Sequence, residues 1–321
     1  MHAWTGSPTI GEAGELAALA AILPRLTASA ARLVGPGDDA AVIAAPDGRL
    51  VVTSDSMVEG PDFLRAWSSP YDVGWKLAAV NLADVAAMGA RPTALVVALA
   101  VPRDLPIAAL ESIADGLRDA CAAIAPGCGV EGGDLAESPV TTAVATAFGD
   151  LEGRAAVLRS GARVGDVVAV TGTLGWAAQG LRWLARGARL DPFGLPDGQQ
   201  ASESVLRRAR SQLTAQLRPS PKVGHAIAAA AAGASAMLDV SDGVALDASR
   251  IASASGVRID LGEAAAGVLD AAEDHAFLAT FPPDVPLPDG FSPIGAVVAG
   301  SGVSLLGEPL DAAGWDPFRR A

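Results

Sequence analysis

An α/β or α+β fold in two domains is the expectation from this sequence, and three observations carry it. Segments of helical and strand character alternate along the whole chain. Its 321 residues are more than one hydrophobic core commonly serves. Half of the residues are hydrophobic and 18% are charged, enough for a sizeable core and inconsistent with wholesale disorder. Aromatic residues are only 4%, so small side chains must fill much of that core, which suits close packing of helices on sheets.

In chain order, Glu12 to Leu23 reads as a helix that ends near Pro24. The turn Gly35-Pro-Gly-Asp-Asp39 leads into the apolar run Ala40 to Ala44, and Leu50 to Ser54 is a short strand ending at Asp55. Asp72 to Met88 is strongly helical, stopped by Gly89 and Pro92. A strand at Thr93–Val101, a helix at Ile107–Ala123 and a strand at Val140–Phe148 follow. The pattern breaks between Gly149 and Arg154, which places the domain boundary there, giving domains 1–149 and 150–321.

The second half opens with a strand at Val167–Thr171 and a helix at Gly175–Arg186. Residues 187–202 carry Gly, Pro and Asp at close intervals and are expected to form a mobile surface loop. Helices are expected at Ser204–Leu217 and 223–232, with a strand near 235–238. Asp239-Val-Ser-Asp-Gly243 then leads into a helix from Val244. Phe281 to Pro293 holds five prolines and is expected to be loop.

Net charge and composition exclude several functions. A formal charge of −13 is the wrong sign for a nucleic-acid or anionic-lipid binder. Only Lys76 and Lys222 are lysines, so phosphate chemistry must lean on arginine, backbone amides or metal ions. Cys121 and Cys128 stand without companions and the histidines are scattered, which excludes a zinc ribbon or a disulfide framework. No basic stretch followed by an apolar run marks the N-terminal region, and the alanine-rich stretch 226–238 is too short to span a bilayer. A cytoplasmic protein without a membrane segment is expected.

Aspartates stand out beside glycine, serine or threonine: Asp39, Asp55, Asp134, Asp239 and Asp242. Any one of them can be an ordinary turn or cap residue. Asp84 is different, because the helix that carries it is apolar on nearly every side, with Asn81 on the same face. An ionised carboxylate buried there needs either a basic partner, Lys76 or an arginine, or a cation. Oxygen ligands without clustered His or Cys favour Mg²⁺, and this many aspartates suggest several ions bridging a polyphosphate. No G-x-x-x-x-G-K-[ST] or G-x-S-x-G sequence occurs.

Gly37-Asp-Asp-Ala-Ala-Val, Thr53-Ser-Asp-Ser-Met-Val-Glu-Gly, Lys76 through Ala90, Gly132-Gly-Asp, Leu158-Arg-Ser-Gly-Ala, Val170-Thr-Gly-Thr-Leu-Gly, Arg218-Pro-Ser-Pro and Leu238-Asp-Val-Ser-Asp-Gly together resemble the thiamine-monophosphate kinase family. The resemblance implies the two-domain fold of aminoimidazole ribonucleotide synthetase, a homodimer formed by pairing the N-terminal sheets, and ATP as co-substrate. It implies magnesium at Asp39, Asp55, Asp84 and Asp134, helped by Thr53 and Ser54, and further magnesium at Asp239 and Asp242. Gly133, Arg159 and Ser241 would contact ATP, and Asp62, Glu273 and Trp315 the substrate. The second domain would complete the phosphate and substrate site.

The implied reaction is direct, magnesium-assisted transfer of the γ-phosphoryl of ATP to thiamine monophosphate. No side chain is cast as a general base, because a phosphate monoester with a second pKa near ~6 is largely dianionic at neutral pH. The chain departs from the family at Ala271-Ala-Glu-Asp-His-Ala, which lacks the Gly-Gly and Tyr-Glu of the usual Gly-Gly-Glu-Asp-Tyr-Glu. The helix usual after that motif is expected to be shortened into loop 281–293. Another ATP-using enzyme of the same fold and a non-catalytic Mg-nucleotide sensor stay open as alternatives.

Overall fold

The computed structural model describes residues 4–36, 40–195, 201–312 and 314. It divides into two compact units, Met1–Val85 with Pro92–Asp150 and Trp183–Ala201, and Ala86–Arg91 with Leu151–Arg182 and Ser202–Ala321. No helix among the described residues is long and apolar enough to cross a membrane.

In the first unit the expected single N-terminal helix is two, α1 (Ile10–Ala13) and α2 (Glu15–Ile22). Gly14 between them has φ 84°, a left-handed value that only glycine adopts without strain and that no α-helix can contain. A small hairpin, β1 (Arg32–Val34) and β2 (Val42–Ile43), follows. Then come β3 (Val51–Val58), α3 (Pro70–Ala87), β4 (Arg91–Val101), α4 (Ile107–Ile124), β5 (Gly129–Glu137) and β6 (Thr142–Asp150). The sheet order is β3-β6-β4-β5, with β3 and β6 antiparallel and β4 and β5 parallel.

Helix α3 starts in a reciprocal cap. Asp72 accepts the Ser69 N–H at 2.8 Å, and the Ser69 hydroxyl accepts the Asp72 N–H at 3.2 Å. Val73, Leu77, Ala78, Leu82, Ala83, Val85 and Ala86 are fully buried, as the apolar surface of this helix requires. Helix α4 buries Leu110, Ile113, Ala114, Leu117 and Cys121, a stripe at helical spacing.

Strand β5 is absent from the sequence expectations, because Gly129-Val-Glu-Gly-Gly-Asp reads as a turn. It forms because a parallel partner supplies its hydrogen bonds, and its register on β4 slips by one residue at Glu131. The buried carboxylate of Glu131 accepts from the Ser29 N–H and the Arg32 Nε–H, fixing the start of the hairpin.

The second unit carries β7 (Val167–Thr171), α5 (Trp176–Ala185), α6 (Glu203–Leu217), α7 (Val223–Ala232), β8 (Ala236–Val240) and α8 (Val244–Ser255). They are followed by β9 (Arg258–Leu261), β10 (Ala276–Phe281), β11 (Phe291–Val298), β12 (Gly302–Leu305) and β13 (Glu308–Leu310). The seven strands lie in the order β13-β12-β9-β11-β7-β10-β8. The core lies between this sheet and α8, with Val168, Leu238, Ile251, Ile259 and Leu278 at its centre.

The loop expected at 281–293 is shorter in the structure. Its last three residues begin β11, where Pro293 stands next to a register shift that spares the ladder the N–H proline lacks. Strand β10 follows Glu273, and residues 282–290 between it and β11 carry no helix. Within the loop expected at 187–202, residues 196–200 lie outside the described residues, and Arg189 and Gly194 exchange backbone hydrogen bonds.

Candidate functional site

In the first unit, strand alternation turns Thr53 and Asp55 toward α3 and Ser54 away from it. The Thr53 hydroxyl donates to Asp84 Oδ2 at 2.8 Å. The Asp55 N–H donates to Asn81 Oδ1 at 3.1 Å, and Asn81 returns its own amide to the Leu77 carbonyl at 2.9 Å. Asn81 is fully buried, so this fork is a fixed brace between α3 and β3. The i,i+3 spacing of Asn81 and Asp84 therefore does what the sequence suggests, placing both on the face that meets the strand.

Other expected residues stand elsewhere. The Ser54 hydroxyl is spent on the opposite face of β3, donating to the Ala145 carbonyl at 2.9 Å and lying 3.2 Å from the Thr146 hydroxyl. Asp55, expected at the end of a strand, and Asp134 sit inside β3 and β5. Asp134 is exposed opposite Ala98, at the far edge of the sheet from β3. Asp62 accepts the Val58 N–H at 2.7 Å and closes the turn after β3. Asp39 and Trp315 lie outside the described residues.

Gly133 pairs with Val97 on β4, and a methyl group there would collide with the Val97 carbonyl oxygen. The close approach that demands glycine at 133 is thus to the neighbouring strand, not only to a ligand. Gly132 has open space on its side-chain position. Gly132, Gly133 and Asp134 line a cavity of about 740 Å³ whose other walls, Glu131 apart, are apolar, among them Leu23, Ile43, Leu117 and Phe148. That is the size and character of a small-molecule pocket.

In the second unit, Asp239 is the penultimate residue of β8, and Ser241 and Asp242 form the turn into α8. Asp247, fully buried in the first turn of α8, accepts both the Ser241 and the Asp242 N–H at 3.1 Å. Arg250, one turn on, bridges Asp247 and Asp242, reaching Asp242 Oδ2 at 2.6 Å. Burial pushes the Asp247 carboxyl up to about 6, against the pull of the Asp242 amide and Arg250 and with the repulsion of Asp239 and Asp242.

Segment 273–275 lies against this turn, with the Glu273 N–H on the Ser241 carbonyl at 2.9 Å and the His275 N–H on the Val240 carbonyl at 3.1 Å. Glu273 and His275 both have left-handed φ, 62° and 48°, which sends three consecutive side chains to three elements. Glu273 accepts from the Gln216 amide on α6. Asp274 accepts the Gly175 and Ala177 N–H groups at 2.6 and 2.8 Å, at the start of α5, and burial raises its pKa. His275 Nδ1 lies 3.1 Å from Asp239 Oδ2. Arg159 is exposed, its carbonyl accepting from the Ser255 hydroxyl at 2.7 Å.

The sequence expectations missed Asp247, Arg250, Gln216 and His275. Only the Asp247–Arg250 spacing, i and i+3 at a helix start, was a usable signal. Among the described residues no three Asp, Glu, His or Cys side chains gather closely enough to hold an ion by themselves. The individual donor sets still suit a hard divalent cation. Thr53, Asp55 and Asp84 offer only oxygen, and Asp239 and Asp242 each commit Oδ2 while Oδ1 meets no protein partner among the described residues. An ion that keeps several waters needs few such ligands.

Residues 37–151 match the family model for AIR synthase related protein, N-terminal domain. Residues 37–151 thus form an AIR synthase-related N-terminal domain, and the chain shares its fold with the hydrogenase maturation protein HypE in complex with ATP, at 17% identity and a TM-score of 0.61 over 82% of this chain.

More particular likenesses follow. The chain is 41% identical to the thiamine-monophosphate kinase of Mycobacterium tuberculosis, over 98% of this chain and 94% of the relative, and 35% identical to that of Corynebacterium glutamicum, over 90% and 88%. The crystal structure of thiamine monophosphate kinase from Aquifex aeolicus superposes with a TM-score of 0.71 at 29% identity, covering 83% of this chain and 90% of that one. A structure of AaThiL complexed with AMPPCP and TMP fits equally well, covering 87% and 90% at a TM-score of 0.71. The chain belongs to the thiamine-monophosphate kinase family.

Proposed function

We propose that this chain carries out its family's reaction by direct, metal-assisted transfer between two anions. The reaction is the ATP-dependent phosphorylation of thiamine monophosphate to thiamine diphosphate. The observation that carries the mechanistic reading is the cluster of β3 and α3, where Thr53, Asp55 and Asp84 share one braced face.

Asp55 and Asp84, with Thr53, would hold magnesium at β3 and α3, and Asp39 would also ligate it; Asp134 would hold magnesium at the opposite edge of the sheet, and Asp239 and Asp242 further magnesium. Ser54 would contribute through its main chain, since its hydroxyl is engaged elsewhere. Bound Mg²⁺ supplies the positive charge that lets two phosphates approach and that offsets charge on the transferring group. The chain's own part is positioning. The apolar cavity beside Gly132–Asp134 suits the base of ATP, and Gly133, Ser241 and Arg159 would contact the nucleotide, the last with a planar fork matched to phosphate. Asp62, Glu273 and Trp315 would contact thiamine monophosphate. No side chain needs to remove a proton, because the acceptor is already largely dianionic (second pKa about 6).

A homodimer and a cytoplasmic location belong to the same reading. The sheet face of the first unit turned away from α3 exposes Val52 and Val96, 55% and 36% accessible, flanked by Ser54, Ser56 and Ala98. A second copy of this face would cover it. Val52→Glu is expected to give a monomer by light scattering at concentrations where the parent is dimeric, and a dimeric variant would discard this surface. The two cysteines, Cys121 and Cys128, are buried and unpaired, as suits a reducing compartment.

The reaction is tested with purified protein, ATP and Mg²⁺, giving thiamine monophosphate in one vessel and free thiamine in another. Thiamine diphosphate and ADP in equal amounts, from the monophosphate alone, are the expected products. ATP binding without diphosphate would mean that the altered segment 271–276 has ended catalysis on this substrate.

A further inference from the structure

We infer that His275 is a positioning residue for Asp239, setting the carboxylate that meets the metal–phosphate charge in the second unit. The inference rests on the proposed magnesium role of Asp239 and adds to it a residue that carries none of the ligand contacts itself.

The geometry is specific. His275 is 5% exposed and Asp239 is 7% exposed, so the pair meets in a place where a misplaced carboxylate finds little water to satisfy it. Nδ1 lies 3.1 Å from Asp239 Oδ2 and, facing a carboxylate, carries the proton as donor. Oδ1 meets no protein partner among the described residues, and the carboxylate retains some solvent access, 9% for the side chain. One oxygen is therefore tied and the other is presented. Ligating carboxylates are commonly held in this way, and loss of such an outer partner typically costs about 10–100-fold in metal affinity or activity.

The backbone supports the same reading. His275 holds φ 48°, a conformation strained for a non-glycine residue, and the His275 N–H fastens it to the Val240 carbonyl, one residue from Asp239. Val240 pairs with Ala276 in the β8–β10 register, so the imidazole and the carboxylate are carried on two adjacent strand ends that cannot drift apart separately. A side chain used merely as filler would not need an imidazole at a left-handed position, where glycine or asparagine is easier.

The test uses the full chain and two variants chosen for that backbone. His275→Gly removes the donor and relieves the left-handed φ, so it should fold; His275→Asn accepts the same φ and returns an amide donor near Nδ1. Mn²⁺ binding is read by electron paramagnetic resonance in the presence of a non-hydrolysable ATP analogue, alongside the Mg²⁺ dependence of turnover and the melting temperature. The glycine variant is expected to bind Mn²⁺ about 10–100-fold more weakly and to need correspondingly more Mg²⁺, with an unchanged melting temperature, while the asparagine variant recovers most of the loss. Wild-type Mn²⁺ binding in the glycine variant would overturn the inference. Asp239→Asn, measured beside them, separates the two levels: if it too binds Mn²⁺ normally, the magnesium role of Asp239 fails; if it alone loses the ion, only the role of His275 fails.

Discussion

Asp84→Asn is expected to leave the protein folded and to lower thiamine diphosphate formation by roughly 10²–10³-fold, the scale seen when one electrostatic contact to a reacting centre is removed. The argument is one of shape kept and charge lost. The Thr53 hydroxyl donates to Asp84 Oδ2 at 2.8 Å, and the amide oxygen of asparagine can accept the same bond. Asn81, one turn earlier, continues to brace Asp55. Nothing in the packing of α3 against β3 has to move, so the melting temperature should stay within about 2 °C of the parent. What goes is a negative charge on the face that the proposed mechanism gives to magnesium. Excess Mg²⁺ should recover part of the rate, because a weakened site fills at higher ion concentration. A variant with parental turnover at low Mg²⁺ would remove Asp84 from the mechanism and return it to the structural role of accepting the Thr53 hydroxyl.

That pair also shows what could be read before the fold was known. The apolar surface of α3 and the three-residue spacing of Asn81 and Asp84 are properties of the local sequence, and burial of one face follows from them. The alternation that separates Thr53 and Asp55 from Ser54 is equally local, yet the resemblance, carried over by matching motif positions, groups all three. Two-residue periodicity decides against the Ser54 hydroxyl, and the structure shows it bonded on the other face.

Features set by distant partners were not legible. Gly129-Val-Glu-Gly-Gly-Asp has the composition of a turn, and only pairing with β4 makes it a strand. The partner of Glu131 is 102 residues away at Ser29, and the partner of His275 is 36 residues away at Asp239. The prolines of 282–293 correctly signalled a turn, but Pro293 sits beside a register shift that only the sheet reveals. In each case tertiary pairing overrode a local preference.

The second large effect concerns adjacent glycines that the sequence treats alike. Gly133→Ala is expected to destabilise the first unit, and Gly132→Ala to leave it folded while weakening ATP binding. At Gly133 the added methyl would overlap the Val97 carbonyl oxygen, part of the backbone of the paired strand, which cannot swing aside as a flexible side chain would. Overpacking of this kind costs about 1–3 kcal/mol. In a unit of this size each kcal/mol lowers the melting temperature by about 2–4 °C. At Gly132 a methyl meets nothing within 4 Å and stands in the cavity of about 740 Å³. Alanine is no worse than glycine in a strand, so stability should hold or rise slightly. The cost should appear instead as a raised KM for ATP, several-fold or more, with the KM for thiamine monophosphate little changed. Thermal melts and steady-state kinetics on both variants distinguish the roles. An unchanged melting temperature for Gly133→Ala would mean that β4 and β5 can part without cost, and an unchanged KM for ATP in Gly132→Ala would place the nucleotide outside this cavity.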